Sequence, residues 1–454
     1  MINIIWLKND LRIKDNPCLY QNNSVIFYII TEKIQGYSKW WTLISVLKFQ
    51  KSLEKYNIKM IITNENNYEK ILYILKNNYG INGIHYNKSY ETYWVQLENN
   101  INEWCDHNNI QYKIYPSNNL LNPHEIYNKI GQNYKVFTPF WKHILTQLIP
   151  KPFEGELSQG ASINIQDISI EDHYKDFLKN HEYLNNYWIP GEIEGYQRLN
   201  DFIHNNLKKY KELRNFPADA VTSKLSPYLR SGEITPRQVY WAVKNSGIDD
   251  EISEPFLRQL GWREFSFHLL AHYPHMDTEN LHREFDGFPW NYNEKYLEAW
   301  KNGMTGYPII DAGMRELKAT GWLHNRLRLI IGSFLTKDLR LHWTQGAEHF
   351  WEYLMDADEA NNSASWQWVA GCGMDAAPYY RIFNPILQSM KFDPHGIYIK
   401  KWIPELKNID GQLIHDPWNY NLSINNYPSP IINHKIAKET TLDLYFGFFS
   451  KKNN

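Results

Sequence analysis

The chain has 454 residues, 43% of them hydrophobic and 22% charged, which is long enough for two or more domains with buried cores. Its formal net charge of −2 indicates no overall preference for nucleic acid, although a local basic face would suffice to bind DNA. The sequence contains no run of about 20 apolar residues that would predict a membrane span. Its first residues, MINIIWLKNDLRIKD, do not match a signal or transit peptide. Three widely spaced cysteines indicate a reduced compartment, so we expect the cytoplasm.

Short β-rich runs alternate with helical patterns through the first 125 residues. Strands are predicted at 2–6, 24–31, 59–63, 82–87 and 111–115, and helices at 39–56, 68–79 and 90–107. This alternation predicts an α/β domain over residues 1–125, built on a doubly wound parallel sheet. No G-x-G-x-x-G sequence follows the first strand, so nothing there favours nicotinamide binding.

Proline and glycine interrupt the periodicity between residues 126 and 195, which predicts a long connector containing one short helix at 137–148. Helical patterns dominate residues 196–454, and strand patterns nearly vanish. Helices are predicted at 196–213, 236–244, 255–271, 308–318, 323–341 and 347–354. The predicted fold class is therefore α/β plus all-α, with the connector joining the parallel-sheet domain to a C-terminal helical domain.

The helical region contains one segment rich in both small and polar residues, DADEANNSASWQWVAGCGMDAAPYYRIF at 356–383. Small residues let a ligand approach the backbone closely, and Asp356, Asp358 and Asn362 offer hydrogen-bond partners for a flat heteroaromatic ring. Trp366 and Trp368 follow them directly. The same composition also fits a helix packed tightly through its small side chains, so the pattern alone leaves both interpretations open.

This segment closely resembles the flavin-binding signature of the photolyase and cryptochrome family. Further matching motifs occur in order along nearly the whole chain: WLKNDLRIKDNP, GWREF, TGYPIIDAGMREL, GWLHNRLR, FNPILQSMKFDP and WIPEL. The resemblance is nearest to bacterial, class I-like photolyases that repair cyclobutane pyrimidine dimers. It implies FAD as cofactor, double-stranded DNA containing pyrimidine dimers as substrate, a monomer, and the activity of a light-driven carbon–carbon lyase.

The resemblance also implies which residues bind FAD. Those expected on the phosphates and ribityl chain are Tyr210, Thr222, Ser223, Lys224, Leu225 and Ser226. Hydroxyls in front of a helix fit an ordinary N-cap equally well when the residues are considered alone.

The flavin ring is expected to contact a second set of residues. By resemblance, Phe256 and Arg263 line the flavin side, and Arg328 pairs with Asp356 beside the isoalloxazine. Asp358 matches the other position at the flavin edge, and Asn362 matches the residue that faces flavin N5.

The resemblance places further residues on DNA or on a dimer flipped out of the duplex. They are Arg214, Gln259, Trp262, Asn325, Arg326, Trp368 and Gln388. From the residues alone, Trp262 also fits a buried structural tryptophan, and the basic helix around Arg326 also fits a solvated face. Trp366, Trp343 and Trp290 match the family's triad for photoreduction, running from flavin to surface, although all three equally fit core positions.

The prediction of which lesion is repaired depends on one departure from the family pattern. Position 259 is Gln, as it is in (6-4) photolyases and animal-type cryptochromes. Photolyases for cyclobutane dimers generally have Glu at this position. The (6-4) reaction needs proton transfer by two histidines, whose positions are Asn325 and Leu329 here, and His324 alone does not replace the pair. We therefore predict repair of cyclobutane dimers, with a (6-4) photolyase or a cryptochrome-like photoreceptor as alternatives. A cryptochrome-like photoreceptor would usually carry a C-terminal extension, whereas this chain stops soon after the helical domain. We therefore expect a photoreceptor role less than DNA repair.

A second, light-harvesting chromophore would lie near GYSKWWTLISVL and the YNKSYETYW segment. Folate-binding relatives have an Asn-Glu pair after the Tyr-Glu dipeptide, whereas Thr92, Tyr93 and Trp94 follow Tyr90 and Glu91 here. We therefore expect no folate, and the sequence leaves open a deazaflavin, another flavin or no second chromophore.

Overall fold

The structure is a computed structural model that describes residues 1–165, 167–376, 380–420, 422 and 424–452, with the backbone alone at 451 and 452. The chain divides into two compact units. The first comprises Met1–Lys208, Ser223–Pro274 and Met355–Glu359, and the second comprises Lys209–Thr222, His275–Leu354 and Ala360–Asn454. The helical part of the chain after residue 195 therefore contributes to both units.

A five-stranded parallel sheet lies in the first unit, as the alternation of strand and helix patterns predicts. Its strands are β1 (Ile2–Leu7), β2 (Ser24–Ile30), β3 (Met60–Asn64), β4 (Ile81–Asn87) and β5 (Gln111–Tyr115). Their order is β3-β2-β1-β4-β5, and every neighbouring pair is parallel. The order reverses between β1 and β4, so the carboxyl ends of these two strands form the switch point of a doubly wound sheet.

The strands are buried on both faces, which explains their nearly continuous apolar sequences. Successive side chains point to opposite faces, so Ile4 and Trp6 join one core while Ile5 and Leu7 join the other. The first core includes residues of α2 (Tyr68–Tyr79) and α3 (Thr92–His107), and the second includes residues of α1 (Gly36–Leu53). Helices therefore cover both sides of the sheet.

The remaining helices of the first unit follow the sheet. They are α4 (Phe137–Thr146), α5 (Ile170–His173), α6 (Lys175–Asn180), α7 (Glu192–Asn205), α8 (Leu207–Leu213), which continues into the second unit, α9 (Ser226–Ser231), α10 (Pro236–Lys244) and α11 (Asp250–His272). The helix predicted at 196–213 is two helices, because Asn206 leaves the helical conformation with φ −126°. The predicted helix at 236–244 is confirmed as α10.

The second unit is helical throughout the part that the structure describes, apart from loops and isolated bridges. Its helices are α12 (Glu294–Lys301), α13 (Pro308–Thr320), α14 (Asn325–Ser333), α15 (Trp343–Tyr353), α16 (Glu359–Ala370), which starts in the first unit, α17 (Pro385–Phe392), α18 (Ile397–Trp402) and α19 (His434–Lys452). A π-helical turn, Phe334–Asp338, follows α14. None of the described helices is both long and apolar enough to span a bilayer.

Buried charges join the N-terminal motif to helices α9 and α10 within the first unit. Arg12 donates to the carbonyl oxygens of Asp15, at 2.7 Å, and Gly232, at 3.0 Å. The Asp15 carboxylate accepts from Arg237 Nε at 3.1 Å and from Thr235 Oγ1 at 2.6 Å. Only 1% of the Asp15 side chain and 7% of the Arg237 side chain are exposed. The motif therefore has a structural role that its sequence did not disclose.

Replacing Asp15 by Asn should lower the free energy of unfolding by about 3 kcal/mol, because Arg237 would stay buried without a countercharge. Asn tolerates the left-handed backbone of Asp15, at φ 53°, so the change removes mainly charge. Urea unfolding followed by circular dichroism measures the effect. The control is Asp250→Asn in the exposed pair with Lys244, which should cost less than about 1 kcal/mol. Equal effects of the two variants would contradict the structural role of Asp15.

Candidate functional site

The TSKLS segment predicted to hold phosphate leads directly into α9. Ser226 is the first residue of that helix, and the preceding Leu225 is buried. Lys224 has a left-handed backbone with φ 51°, and Ser223 Oγ accepts a hydrogen bond from the Leu225 N–H at 3.4 Å. This tight turn places hydroxyls, backbone N–H groups and one ammonium within five consecutive residues that begin at Thr222. Such a set of donors suits a diphosphate.

Helix α11 carries four of the predicted residues. Phe256, Gln259 and Arg263 are three and four residues apart and so lie along one side of the helix. Arg263 donates to the carbonyl of Asn118 at 3.1 Å and to the Glu264 carboxylate at 2.7 Å, which holds its guanidinium in one place.

Trp262, predicted to contact the lesion, is stacked face to face on another ring. Its centroid lies 3.7 Å from that of Phe137 in α4, and the two planes are 7° apart. One face of Trp262 is therefore covered by the protein itself. Sequence spacing within α11 could not reveal this contact, because Phe137 lies more than 100 residues earlier in the chain.

Asp356 and Asp358, the carboxylates predicted at the flavin edge, are buried. Burial raises the pKa of Glu91, in the loop after β4, and the negative charge of Asp358 raises it further. The next residue, Glu359, accepts hydrogen bonds from both the backbone N–H, at 2.7 Å, and the hydroxyl of Thr92. Thr92 therefore has an internal partner in Glu359.

Residues of the connector contact α1 in the region proposed for a second chromophore. The hydroxyls of Tyr37 and Tyr183 lie 2.6 Å apart, and Lys39 Nζ lies over the rings of Tyr174 and Phe177. A cleft beside Tyr28, which is also lined by Lys39, has a volume of about 200 Å³.

Asn362 and Tyr210 belong to the second unit. Asn362 Nδ2 donates to the Ala347 carbonyl at 3.0 Å, which sets the orientation of the amide and leaves Oδ1 as an acceptor. An acceptor at this position suits a flavin ring nitrogen that carries hydrogen. Tyr210 is buried beneath the guanidinium of Arg214, whose Cζ lies 5.8 Å from the ring centroid. Arg328 Nε donates to the Leu323 carbonyl at 2.9 Å.

Arginine side chains form a cluster in the second unit. Arg326 donates to Asn215 Oδ1 at 2.8 Å, and its Cζ lies 4.4 Å from the ring centroid of Phe392. Burial lowers the pKa of Arg326, and the positive charges of Arg214 and Arg381 lower it further. Three guanidinium groups that repel one another suit a polyanion. The exposed Arg381 was missing from the predicted site, although it lies in the flavin-like segment.

The other residues predicted on DNA are also located in the second unit. Asn325 is exposed at the start of α14, and Gln388 is partly buried in α17. Trp368 Nε1 donates to the Asp375 carbonyl at 2.9 Å. Trp368 thus contacts the loop that follows its own helix, α16.

The three predicted redox tryptophans also belong to the second unit. Trp366 is buried and packs against α15 at Gly346, where a Cβ atom would lie 2.2 Å from Trp366 Cη2. Trp343 begins the same helix, is fully buried, and donates from Nε1 to Asn280 Oδ1 at 2.9 Å. The ring of His342 lies 5.7 Å from Trp343 and 5.3 Å from the partly exposed Trp290. Aromatic rings therefore extend from the buried Trp343 towards the surface.

Comparisons with known proteins agree with this geometry. The family model for the FAD binding domain of DNA photolyase matches residues 256–446, and the model for DNA photolyase matches residues 3–156. The deoxyribodipyrimidine photo-lyase of Agrobacterium fabrum is 35% identical, and the match covers 97% of both chains. The chain belongs to the photolyase and cryptochrome family. The predicted family and the predicted cofactor, FAD, are confirmed.

Both branches of the family are represented among its relatives. A solved bacterial class III photolyase from Agrobacterium tumefaciens superimposes with a TM-score of 0.93 at 34% identity, covering 99% of this chain and 98% of the other. Cryptochrome-1 of Arabidopsis thaliana is 30% identical over 96% of this chain and 69% of its own. The predicted fold class is also confirmed.

The residues of each unit fit FAD chemically. The TSKLS segment supplies donors for phosphates, Asp356 and Asp358 supply acceptors, and Asn362 Oδ1 supplies an acceptor with a defined direction. In the described residues, no group of three or more His, Cys, Asp or Glu side chains is placed to hold a metal ion.

Proposed function

We propose that this protein repairs cyclobutane pyrimidine dimers in double-stranded DNA in a light-dependent reaction. The observation that carries the choice of lesion is the state of His324, the one histidine beside the positions where (6-4) enzymes have two. Its side chain is buried, and its Nδ1 accepts the Arg326 N–H at 3.1 Å as the cap of α14. The Nδ1 atom that caps the helix is not available to exchange protons with a substrate, and a single histidine does not replace the pair that the (6-4) reaction needs.

The neighbouring positions support the same choice. Asn325 and Leu329 carry side chains that do not titrate, so neither supplies the acid that a (6-4) photoproduct needs. A cyclobutane dimer needs no protein acid, since its repair is a redox-neutral ring opening. Gln259 can both donate to a thymine carbonyl and accept from its N3–H, which suits a dimer edge.

DNA phosphates are assigned to the arginine cluster, and the lesion is assigned to polar and aromatic residues. Arg214 and Arg326 neutralise phosphates, and Asn325, Trp368 and Gln388 contact DNA around the lesion. The dimer leaves the duplex at a cost of a few kcal/mol, which is smaller for a poorly stacked lesion than for normal bases. Trp262 offers its uncovered side to the flipped dimer, and Gln259 orients it through hydrogen bonds.

The chain's residues hold and protect the cofactor rather than perform acid–base chemistry. Reduced FAD, when bound, would supply the photochemistry: one electron lent to the dimer under blue light and regained once the two carbon–carbon bonds of the cyclobutane ring have opened. Asn362 orients the ring edge through Oδ1, while the TSKLS segment and Tyr210 hold the phosphates and ribityl chain. By the family resemblance, Arg263 and Phe256 line the flavin side, and Asp356 and Arg328 are each assigned to the flavin edge.

The deciding experiment compares three duplex oligonucleotides: one with a cyclobutane dimer, one with a (6-4) photoproduct and one undamaged. The purified protein is reduced, mixed with each duplex, and kept in blue light or darkness before chromatography. We expect the cyclobutane dimer alone to be lost, and only in the light. A protein that binds FAD but repairs neither lesion would instead support a cryptochrome-like photoreceptor, the alternative that its identity to Cryptochrome-1 favours.

Replacing Trp343 by Phe should slow light-driven reduction of oxidised FAD, because it removes an oxidisable ring from the chain that ends at Trp290. Phenylalanine keeps most of the ring volume, so the fold should survive. Absorption spectroscopy during illumination measures the reduction rate. The internal control is repair by chemically reduced protein, which should stay nearly unchanged. Unchanged photoreduction in the variant would remove Trp343 from the chain.

Replacing Arg326 or Arg214 by Ala should weaken binding to damaged and undamaged duplex alike, since each guanidinium is proposed to neutralise one phosphate. The slope of log binding constant against log salt concentration should become shallower by about one unit per arginine lost. The control is Arg283→Ala, which removes an exposed arginine engaged in surface ion pairs with Glu279 and Asp286. A wild-type slope in the Arg326 variant would indicate a purely structural arginine.

Replacing Gln259 by Glu should improve discrimination of cyclobutane dimers from undamaged DNA. A carboxylate makes a stronger, charge-assisted hydrogen bond to thymine N3–H, and an added 1.4 kcal/mol corresponds to about a tenfold change. The measurement is the ratio of the two dissociation constants at one salt concentration. Efficient (6-4) repair by the unmodified protein, with cyclobutane dimers left intact, would overturn the lesion assignment.

A further inference from the structure

A lysine ammonium is buried in the π-helical turn that follows α14. Lys337 is only 4% exposed, its Nζ donates to the carbonyl oxygen of Arg381 at 2.7 Å, and Nζ lies 4.1 Å from the centroid of the Tyr380 ring. Burying a charge costs free energy that an unbranched apolar side chain in the same place would not. Filling space therefore does not explain this lysine, whereas its bond to the backbone of Arg381 does.

The backbone that Lys337 contacts carries one member of the arginine cluster. Residues 380–384 have no regular secondary structure, and the Arg381 side chain is exposed. Two residues further on, the Phe383 N–H donates to Ser333 Oγ in α14 at 3.2 Å. Helix α14 also supplies Arg326 to the cluster. One continuous helical stretch therefore carries one guanidinium of the cluster and holds the backbone of another.

Helix α19 holds the lysine's own backbone through a different contact. Thr441 is fully buried and donates from Oγ1 to the carbonyl oxygen of Lys337 at 2.7 Å. Tyr445 of the same helix stacks on Tyr380, with the ring centroids 4.3 Å apart and an interplanar angle of 14°. The Thr441 contact fixes the π-helical turn, whereas the ammonium fixes the backbone at Arg381. The two contacts of Lys337 can therefore be removed separately.

The charges around Lys337 link its protonation to Arg381. Burial lowers the pKa of Lys337 to about 7, and the positive charge of Arg381 lowers it further, while Asp338 and Cys372 oppose the shift. Burial raises the pKa of Asp338 to about 6, so this carboxylate, which pairs with His434 of α19, is charged at pH 7. The Cys372 thiol is uncharged there, because burial raises its pKa to about 12.

A phosphate bound to Arg381 changes this balance. The two phenols beside the ammonium stay neutral near pH 7, because burial raises the pKa of both Tyr380 and Tyr445. The phosphate offsets the positive charge of Arg381, which raises the pKa of Lys337. The protein bound to DNA therefore holds more protons on Lys337 than the free protein does. By linkage, the affinity for DNA falls as the pH rises through this range.

We propose that Lys337 is a positioning residue of the DNA-binding site, whose buried ammonium fixes the Arg381 backbone so that the Arg381 guanidinium meets a phosphate together with Arg326. This inference rests on the proposed binding of DNA by the arginine cluster. Without the ammonium, Arg381 keeps its charge but loses its fixed place. The loss should therefore appear in DNA affinity rather than in the fold.

The test measures dissociation constants of the FAD-loaded protein in the dark, for a fluorescent duplex with one cyclobutane dimer, at several salt concentrations. Lys337→Met removes the ammonium and keeps an unbranched side chain. We expect it to bind about tenfold more weakly, with a shallower salt slope, as Arg381→Ala should. Lys337→Met should add nothing in an Arg381→Ala background, because both changes remove the same phosphate contact. The matched control, Thr441→Val, should bind as the wild type does.

The pH profile separates positioning from packing. Wild-type affinity should fall from about pH 7 to about pH 8.5, and this fall should flatten in Lys337→Met. Lys337→Arg keeps a charged donor that does not titrate in this range, so it should restore the affinity and hold it constant. A wild-type pH profile in Lys337→Arg would overturn the proposal, even where Lys337→Met folds poorly.

Thermal unfolding and FAD content of every variant report on folding. If Arg381→Ala and Arg326→Ala both bind DNA as the wild type does, the proposed role of the arginine cluster fails. If those variants bind weakly while Lys337→Met binds normally, the positioning role alone is wrong. The same conclusion holds if Thr441→Val weakens binding as much as Lys337→Met, because the effect would then come from the turn and not from the ammonium.

Discussion

The first unit depends on the pairing of charges that it buries at the carboxyl end of β1. Lys8, Asp10, Arg12 and Asp15 are all at most 3% exposed, and leaving one such charge without a partner costs several kcal/mol. Besides the Asp15 carbonyl, Arg12 bonds the Gly232 carbonyl, which requires the backbone at Gly232 to come close. A Cβ atom there would lie 1.9 Å from the Asn9 carbonyl oxygen, and φ is 69°, so glycine is required. This contact holds the end of α9 against the sheet, and thereby positions the TSKLS turn that precedes α9.

Much of the fold could be predicted because many of its helices and strands have a clear pattern within their own short segments of sequence. The strand at 111–115 and the helices at 68–79 and 236–244 match the structure residue for residue, since each has clear periodicity between strong boundary signals. Helix starts at 325 and 343 were less predictable. Each is capped by an imidazole, from His324 and His342, that accepts a backbone N–H two residues later. Histidine is outside the usual capping set of Ser, Thr, Asp and Asn, so sequence patterns place these boundaries poorly.

The site shows the same division between local and long-range information. Motifs identified the family and its cofactor, because short segments such as TSKLS carry their chemistry in consecutive residues. They could not show that Trp262 stacks on Phe137, that Asn362 is oriented by Ala347, or that Glu359 occupies the donors of Thr92. Each of these contacts joins residues distant in sequence, and each limits what a predicted residue can do. Arg381 joined the arginine cluster only when the fold brought it near Arg326.

The second unit combines aromatic rings with a neutral imidazole, and this combination has a physical reason. A positive charge on a buried tryptophan is poorly solvated, so its energy depends strongly on nearby charges. Burial lowers the pKa of His342 and so keeps it neutral, which removes a cation that would otherwise oppose the proposed oxidation of Trp343. The partly exposed ring of Trp290 then allows water to solvate the charge. In the proposed photoreduction chain, the same burial that stabilises the helical core thus favours movement of a positive charge from the buried Trp343 to Trp290.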